Sequence, residues 1–358
     1  MGRLRPCQHA ARPVVGEGRV ASMPSLGALE GGTVYTVTLL TLDQADRRVI
    51  MFGGKGGVGK TTSSAATALH YALTGRRTLI ITSDYTPSLS DIFEVEVGPQ
   101  ERDIPAVDGL YALEIDPDEV IRQWKKKFGP QVYEAASALV DMPYDELVDY
   151  VAMAPGIQEE FMLDYILERI REQRYDVIVW DTAPAGDTLR LLDLPRRFIE
   201  HLRTAPKVYI GVRDALNLSR TPFLDLIESW KALAREVTAF FSDPENVAFV
   251  LVTIPEALGV YQTRRVKRDL EAHGIDVRHL VINHVVVNPS CDFLRRRREM
   301  QQPYIEMLEH EYGDEVDMVK VPLMPYEVKG IERLREVESR LFAPCDGADP
   351  CEPKPCEG

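Results

Sequence analysis

From Arg48 onward the chain alternates short apolar runs with longer stretches whose apolar residues recur every three or four positions. The runs Val49–Phe52, Thr78–Thr82, Leu110–Ile115, Val177–Asp181, Val247–Thr253, Val277–Asn283 and Met318–Val321 are strand-length, and several are apolar almost throughout. That pattern suits strands covered on both faces. Helix-period stretches follow most of them, at Lys60–Leu73, Ala257–His273, Arg296–His310 and Val328–Leu341. Strand and helix in alternation predict an α/β fold with a doubly wound, mostly parallel sheet.

Two stretches break the alternation. Residues 117–173 and 195–241 are mostly helical in pattern and contribute few strand-like runs. They read as two chain-distant insertions that form a helical subdomain at one end of the sheet. Residues 1–45 lack a sustained period and are rich in Gly and Pro, which predicts a disordered extension, with an edge strand within Thr33–Leu42 as the one regular element. Residues 46–342 then form a single domain. Residues 343–358 combine Cys345, Cys351 and Cys356 with prolines and acids, and read as a disordered tail.

Composition narrows the function classes. The formal net charge of −14 over 358 residues argues against a general nucleic-acid binder, which neutralises phosphates with clustered Lys and Arg. The run Arg295–Arg298 stands beside Glu299 and reads as a solvated helix face. No run approaches the roughly 18–20 apolar residues of a membrane span, and the N-terminal arginines precede no apolar signal region, so a cytoplasmic location is expected. Of five cysteines, none lies between Cys7 and Cys291, which does not describe a secreted disulfide framework. The tail thiols suit a soft metalloid, an alternative kept open.

The densest chemistry is Gly53-Gly54-Lys55-Gly56-Gly57-Val58-Gly59-Lys60-Thr61-Thr62. Gly54, Gly59, Lys60 and Thr61 fit G-x-x-x-x-G-K-[ST], with an apolar run before and a helical stretch after. Glycines let successive backbone amides turn toward one point, and the following helix presents its positive end to the same point. Gly54 through Thr62 are therefore the candidate nucleotide-binding residues. Lys60 is expected at the β and γ phosphates of ATP, and the Thr61 hydroxyl at Mg2+.

Two acids follow the second and fourth long apolar runs. Asp91, in Ser88-Leu89-Ser90-Asp91, fits two roles: orienting the attacking water, or completing a capping box at a helix N-terminus. Asp181 ends an apolar run where a Mg2+-associated carboxylate belongs, directly or through water; an N-cap is the alternative.

Lys55, a second lysine inside the loop, resembles the deviant Walker A pattern of the class that includes MinD, ParA and ArsA. Asp181-Thr182-Ala183-Pro184-Ala185-Gly186-Asp187-Thr188-Leu189-Arg190 narrows the resemblance to the ArsA family, which includes arsenical pump-driving ATPases and the ATPases that target tail-anchored membrane proteins. Pro155-Gly156-Ile157, Ile254–Leu258, Val281-Ile282-Asn283 and Val321-Pro322-Leu323 extend it across Arg48–Leu341. The resemblance implies an ATPase that works as a homodimer, with Lys55 reaching the partner's nucleotide. It also implies Asp91 as the catalytic water-orienting acid, Asn283 as adenine reader, and Pro322 and Leu323 beside the base. For the targeting members it implies a hydrophobic transmembrane segment as client and a membrane receptor as partner.

The chain departs from the family in places. Asp84-Tyr85-Thr86-Pro87 stands where D-P-A-H is usual, and Asp187 where His is common. Cys291 is followed by Leu294 where a second Cys of a C-x-x-C pair belongs, so no zinc is expected, since a structural site needs about four ligands. One P-loop and no cysteine from residue 8 to 290 disfavour a metalloid pump subunit, and the acidic tail disfavours a membrane- or DNA-positioning switch like MinD or ParA. Met142, Met153 and Met162 supply flexible apolar side chains to the first insertion. The helix-spaced stripe Phe198, Ile199, Leu202, Phe223, Leu224, Leu226, Ile227, Trp230 and Leu233 in the second reads first as ordinary core, ahead of a client-binding surface.

Overall fold

Alternation along the strands sets the architecture. The computed structural model describes Leu39 and residues 41–44, 47–83, 88–137, 142–153, 157–183, 200 and 222–342, all within the compact unit that begins at Thr36. Eight strands form one sheet: β1 (Val49–Gly54), β2 (Thr78–Thr82), β3 (Arg102–Asp103), β4 (Leu110–Glu114), β5 (Val177–Asp181), β6 (Val247–Thr253), β7 (His279–Val285) and β8 (Asp317–Pro322). Their order is β3-β4-β2-β5-β1-β6-β7-β8, parallel except for the β3–β4 edge pair. The α/β doubly wound reading holds. β3 escaped the pattern because it is two exposed charged residues held only by antiparallel pairing to β4.

The two sheet faces bury alternate residues. Ile50, Phe52, Ile80, Val177 and Val179 pack with α2 (Lys60–Leu73) and with the short α1 (Thr41–Gln44). The same core takes in α3 (Ser88–Phe93) and α10 (Gly330–Phe342). Met51, Leu79, Ile81, Ile178 and Trp180 point to the other side. There they meet α4 (Pro117–Ala136), α5 (Tyr144–Ala152), α6 (Ile157–Arg171), α7 (Pro222–Phe241), α8 (Ala257–Ala272) and α9 (Asp292–Tyr312). Each such fully buried aliphatic side chain contributes about 1.5–3 kcal/mol.

The inserted helices pack on one another and share a continuous hydrophobic core with the sheet. Trp124, Met162, Leu163 and Leu226 belong to the same continuous core as the sheet, and Trp180 meets Phe241 edge-on at 6.0 Å. Strands apolar on both faces need a cover on each, and these helices help to supply the one opposite α2. Of the α7 stripe, Leu226 and Ile227 are buried and Trp230 and Leu233 are partly buried against that core, which is the ordinary packing alternative. Phe198, Ile199 and Leu202 and the side chains of Phe223 and Leu224 lie outside what the structure describes.

The N-terminal boundary differs from the expectation. Leu39 and Leu42 are fully buried, Thr41–Gln44 is helical rather than an edge strand, and Leu39 N donates to Leu341 O at 2.8 Å. Two leucines spaced for one face of a helical turn explain it. Residues 1–38 and the tail 343–358 lie outside the described residues. Among the described residues no helix is long and apolar enough to cross a membrane.

Candidate nucleotide-binding site

The P-loop leaves the centre of the sheet. β1 has β5 on one side and β6 on the other, with Phe52 opposite Asp181 and Gly54 opposite Val252. A β-carbon at Gly54 would lie 2.3 Å from the Val252 carbonyl oxygen, so only glycine lets the chain turn this close to β6. Gly59 sits at φ 93°, ψ 30°, a left-handed conformation, immediately before α2. A β-carbon there would lie 2.2 Å from the Asn283 amide nitrogen.

The loop's two lysines occupy opposite environments. Lys60 is buried (7% exposed), and its ammonium donates to the Lys55 carbonyl at 3.4 Å, across the mouth of the loop. The Lys55 side chain is exposed, as are Gly56 and Gly57. Thr61, in the first turn of α2, donates its hydroxyl to Asp181 Oδ2 at 2.6 Å. Thr82 donates to the same oxygen at 3.4 Å, and Asp181 is 1% exposed. Asp181 thus holds the β1–α2 corner and the end of β2 at once. The Thr61 hydroxyl and Asp181 carboxylate form an oxygen-only donor pair, the chemistry a hard divalent cation takes, and Mg2+ commonly needs only one or two protein ligands beside phosphate and water. The residues present fit it.

Asn283 reaches the loop from the end of β7. Its amide donates to the Val58 carbonyl at 2.9 Å, and its oxygen accepts from His284 N at 2.9 Å. The β7–β8 register shifts between Ile282 and Val285, and His284 takes a φ of 59°. This bulge turns Asn283 inward, and explains why β7 runs two residues beyond the apolar pattern. Gln301, buried on α9, clamps the bulge: its amide donates to His284 O and its oxygen accepts from Val286 N, both at 2.8 Å. Burial, with Arg297 nearby, pushes the His284 imidazole below its usual range.

Beside the loop lies a cleft of about 440 Å³ whose lining includes Thr61, Thr62, Asp91, Asn283, Pro322 and Leu323. The structure therefore gathers residues from β7, β8, α2 and α3 that stand far apart in sequence. Asp91 is exposed in the first turn of α3. The capping box read from Ser88 and Asp91 is not formed. Ser88 Oγ makes no hydrogen bond, and Glu114 of β4 accepts from Leu89 N and Ser90 N at 2.9 Å each.

Ser83, just past β2, is a further residue the pattern did not single out. Its hydroxyl oxygen accepts from Trp180 Nε1 at 3.1 Å and from Ala183 N at 3.3 Å, tying the ends of β2 and β5 together. Residues 84–87 and 184–199, with the Tyr85-Thr86-Pro87 and Asp187 departures, lie outside the described residues. Cys291 is exposed at the start of α9, and no cluster of three or more His, Cys, Asp or Glu side chains able to hold a metal occurs among the described residues.

A parallel sheet whose central strand feeds a glycine loop onto a helix, with a lysine and threonine at the helix start and an aspartate on the adjacent strand, defines a P-loop nucleotide hydrolase. The family model for anion-transporting ATPases, ArsA type, matches residues 47–343. The chain is 33% identical over 314 residues to a protein named ATPase get3 from Schizosaccharomyces pombe, covering 85% of this chain and 93% of that one. It is 33% identical over 320 residues to ATPase GET3 of Chaetomium globosum (85% and 92%). With ATPase GET3 of Phaeosphaeria nodorum it shares 35% over 311 residues (82% and 94%). The chain belongs to the ArsA family of ATPases.

Proposed function

We propose that this ATPase is a targeting factor: a homodimer that couples ATP binding and hydrolysis to the capture and delivery of a hydrophobic transmembrane segment, as a tail-anchored membrane protein presents. The observation that carries the reading is similarity to proteins named ATPase GET3 along 85% of the chain. The helical layer supports it. Tyr150 and Met153 of the α5 region are 71% and 73% exposed above a buried floor of Leu147, Val148 and Ala152, so apolar surface faces outward where a client is expected. A cytoplasmic site of action and a membrane receptor belong to the same proposal.

The chemistry is positional. The backbone amides of Gly56 to Thr61 and the Lys60 ammonium gather and neutralise phosphate charge. Thr61 and Asp181 would hold a Mg2+ ion, which would supply positive charge to offset that of the phosphates. Thr61 would supply a hydroxyl ligand, and Asp181 orients that hydroxyl and would accept hydrogen bonds from the cation's water shell. Asp91 accepts a hydrogen bond from the attacking water and aims its oxygen. Lys55, exposed at the loop tip, reaches across to the nucleotide of the second subunit. Asn283, Pro322 and Leu323 form the wall where the adenine lies.

Co-purification of a tail-anchored substrate with the wild-type chain and with Asp91→Asn tests the proposal. Stable capture by both, with release on ATP addition only in the wild type, is expected. If neither shields a transmembrane segment from aggregation, the targeting reading is wrong and an ATPase with another task remains.

A further inference from the structure

β4 ends in a carboxylate that its packing does not require. Glu114 follows the buried Leu113 and is itself half-buried. Its Oε1 accepts from Leu89 N and from Ser90 N, each at 2.9 Å. Its Oε2 accepts from Ser90 Oγ at 3.0 Å and from Gly98 N at 3.4 Å. Ser90 Oγ in turn accepts from Val97 N at 3.0 Å. Leu89 and Ser90 open α3, and their amides are donors that a helix N-terminus leaves without intrahelical partners. A capping side chain ordinarily supplies the acceptor from within the same segment. Here the hydroxyl of Ser88 makes no hydrogen bond, and among the described residues an acid on a strand supplies the acceptor for Leu89 N and Ser90 N.

The next residue along α3 is Asp91, whose carboxylate borders the cleft. α3 is six residues long, too short to hold its own geometry without an external anchor. Its place relative to the phosphate loop therefore depends on what grips its first turn. Charge-assisted hydrogen bonds are the stronger kind, and a carboxylate at this end of a helix also meets its positive pole.

We propose that Glu114 is a positioning residue for ATP hydrolysis: by gripping the first turn of α3 from the end of β4, it sets the place of the Asp91 carboxylate. The inference rests on the reading of Asp91 as the acid that orients water. A shift of about 1 Å in a group of that kind costs on the order of 100-fold in rate. Glu114 touches neither the loop nor the base wall, so binding of nucleotide is spared.

Four proteins test it: the parent, Glu114→Ala, Asp91→Asn and the double variant. Single-turnover hydrolysis of radiolabelled ATP gives the rate, and titration with a fluorescent ADP gives affinity. The expected result is a loss of about 10- to 100-fold in rate for Glu114→Ala with affinity within about threefold of the parent. In the Asp91→Asn background the same change should cost nothing further, because a residue acting through Asp91 has nothing left to position. Glu114→Gln keeps one acceptor oxygen and should recover part of the rate, and it carries the test if the alanine variant does not fold. Full turnover by Asp91→Asn overturns the reading of Asp91 itself. Loss of turnover by Asp91→Asn with Glu114→Ala at the parental rate overturns the role of Glu114 alone. An equal loss from Glu114→Ala in both backgrounds marks a merely structural residue and also overturns it.

Discussion

Replacing Gly59 with alanine loads the two constraints that close the phosphate loop. At φ 93° and ψ 30°, a β-carbon crowds the following carbonyl and costs about 1–2 kcal/mol. It would also stand 2.2 Å from the Asn283 amide nitrogen, so the carboxamide must withdraw. Its bond to the Val58 carbonyl goes with it, a further loss of about 1 kcal/mol. Together the native loop becomes less favourable than a distorted one by about 2–3 kcal/mol. Nucleotide binding has to restore the native form, so affinity falls by roughly 30- to 140-fold. Titration with a fluorescent ADP measures this without any dependence on hydrolysis. The collision is separable from the backbone cost. In an Asn283→Ala background the same glycine replacement meets no carboxamide, and its penalty should shrink to about 1–2 kcal/mol, roughly 5- to 30-fold. Affinity within threefold of the parent for Gly59→Ala would refute the loop geometry. An equal penalty in both backgrounds would refute the contact with Asn283.

Lys60→Ala removes the buried ammonium at the loop mouth and should lower phosphate release by on the order of 100-fold or more; unchanged turnover would show that phosphate is held elsewhere. Thr61→Ala removes the hydroxyl that lies against Asp181, and the Mg2+ concentration needed for half-maximal turnover should rise at least tenfold, read by a metal titration at saturating ATP. Acid stability offers a check far from the site. Burial, with Arg47 adding, pushes the His279 imidazole from 6.5 down to about 4. The unfolded chain then binds the extra proton first, so stability rises with pH between about 4 and 6.5 and is lost as pH falls through that window, by up to about 3 kcal/mol. Urea melts of the parent and of His279→Leu should differ in slope across this range; parallel pH profiles would show that His279 is not buried neutral.

Much of the fold was legible because the relevant physics is local. Apolar runs of four to seven residues in a sheet covered on both faces announce themselves, and the β1 and β5 spans were readable to within two residues. The phosphate loop was readable for the same reason, since glycine, lysine and threonine at fixed offsets are consecutive in the chain. What escaped depended on partners distant in sequence. β3 exists only because β4 offers Arg102 and Asp103 a ladder. In the sequence Asn283 only closes an apolar run; the Gln301-clamped bulge is what turns it toward Val58. Glu114 was an acid at the end of an apolar run, and the α3 amides it serves stand 24 and 25 positions earlier. A polar residue closing a buried strand was the one available signal, and it names no partner. Leu39 and Leu42 show the opposite case, two apolar residues in a Gly- and Pro-rich neighbourhood whose burial outweighs the local composition.

The end of β4 anchors the starts of two helices. Glu114 holds the first turn of α3, on the nucleotide side, while Asp116 accepts from Asp118 N at 2.9 Å and so starts α4, the longest helix of the first insertion. The two acids are separated by about 7 Å of extended backbone. The residue between them is fixed to the sheet, since the Thr82 carbonyl receives Ile115 N at 3.0 Å. One short stretch of chain thus anchors both the helix that carries Asp91 to the cleft and the first helix of the insertion.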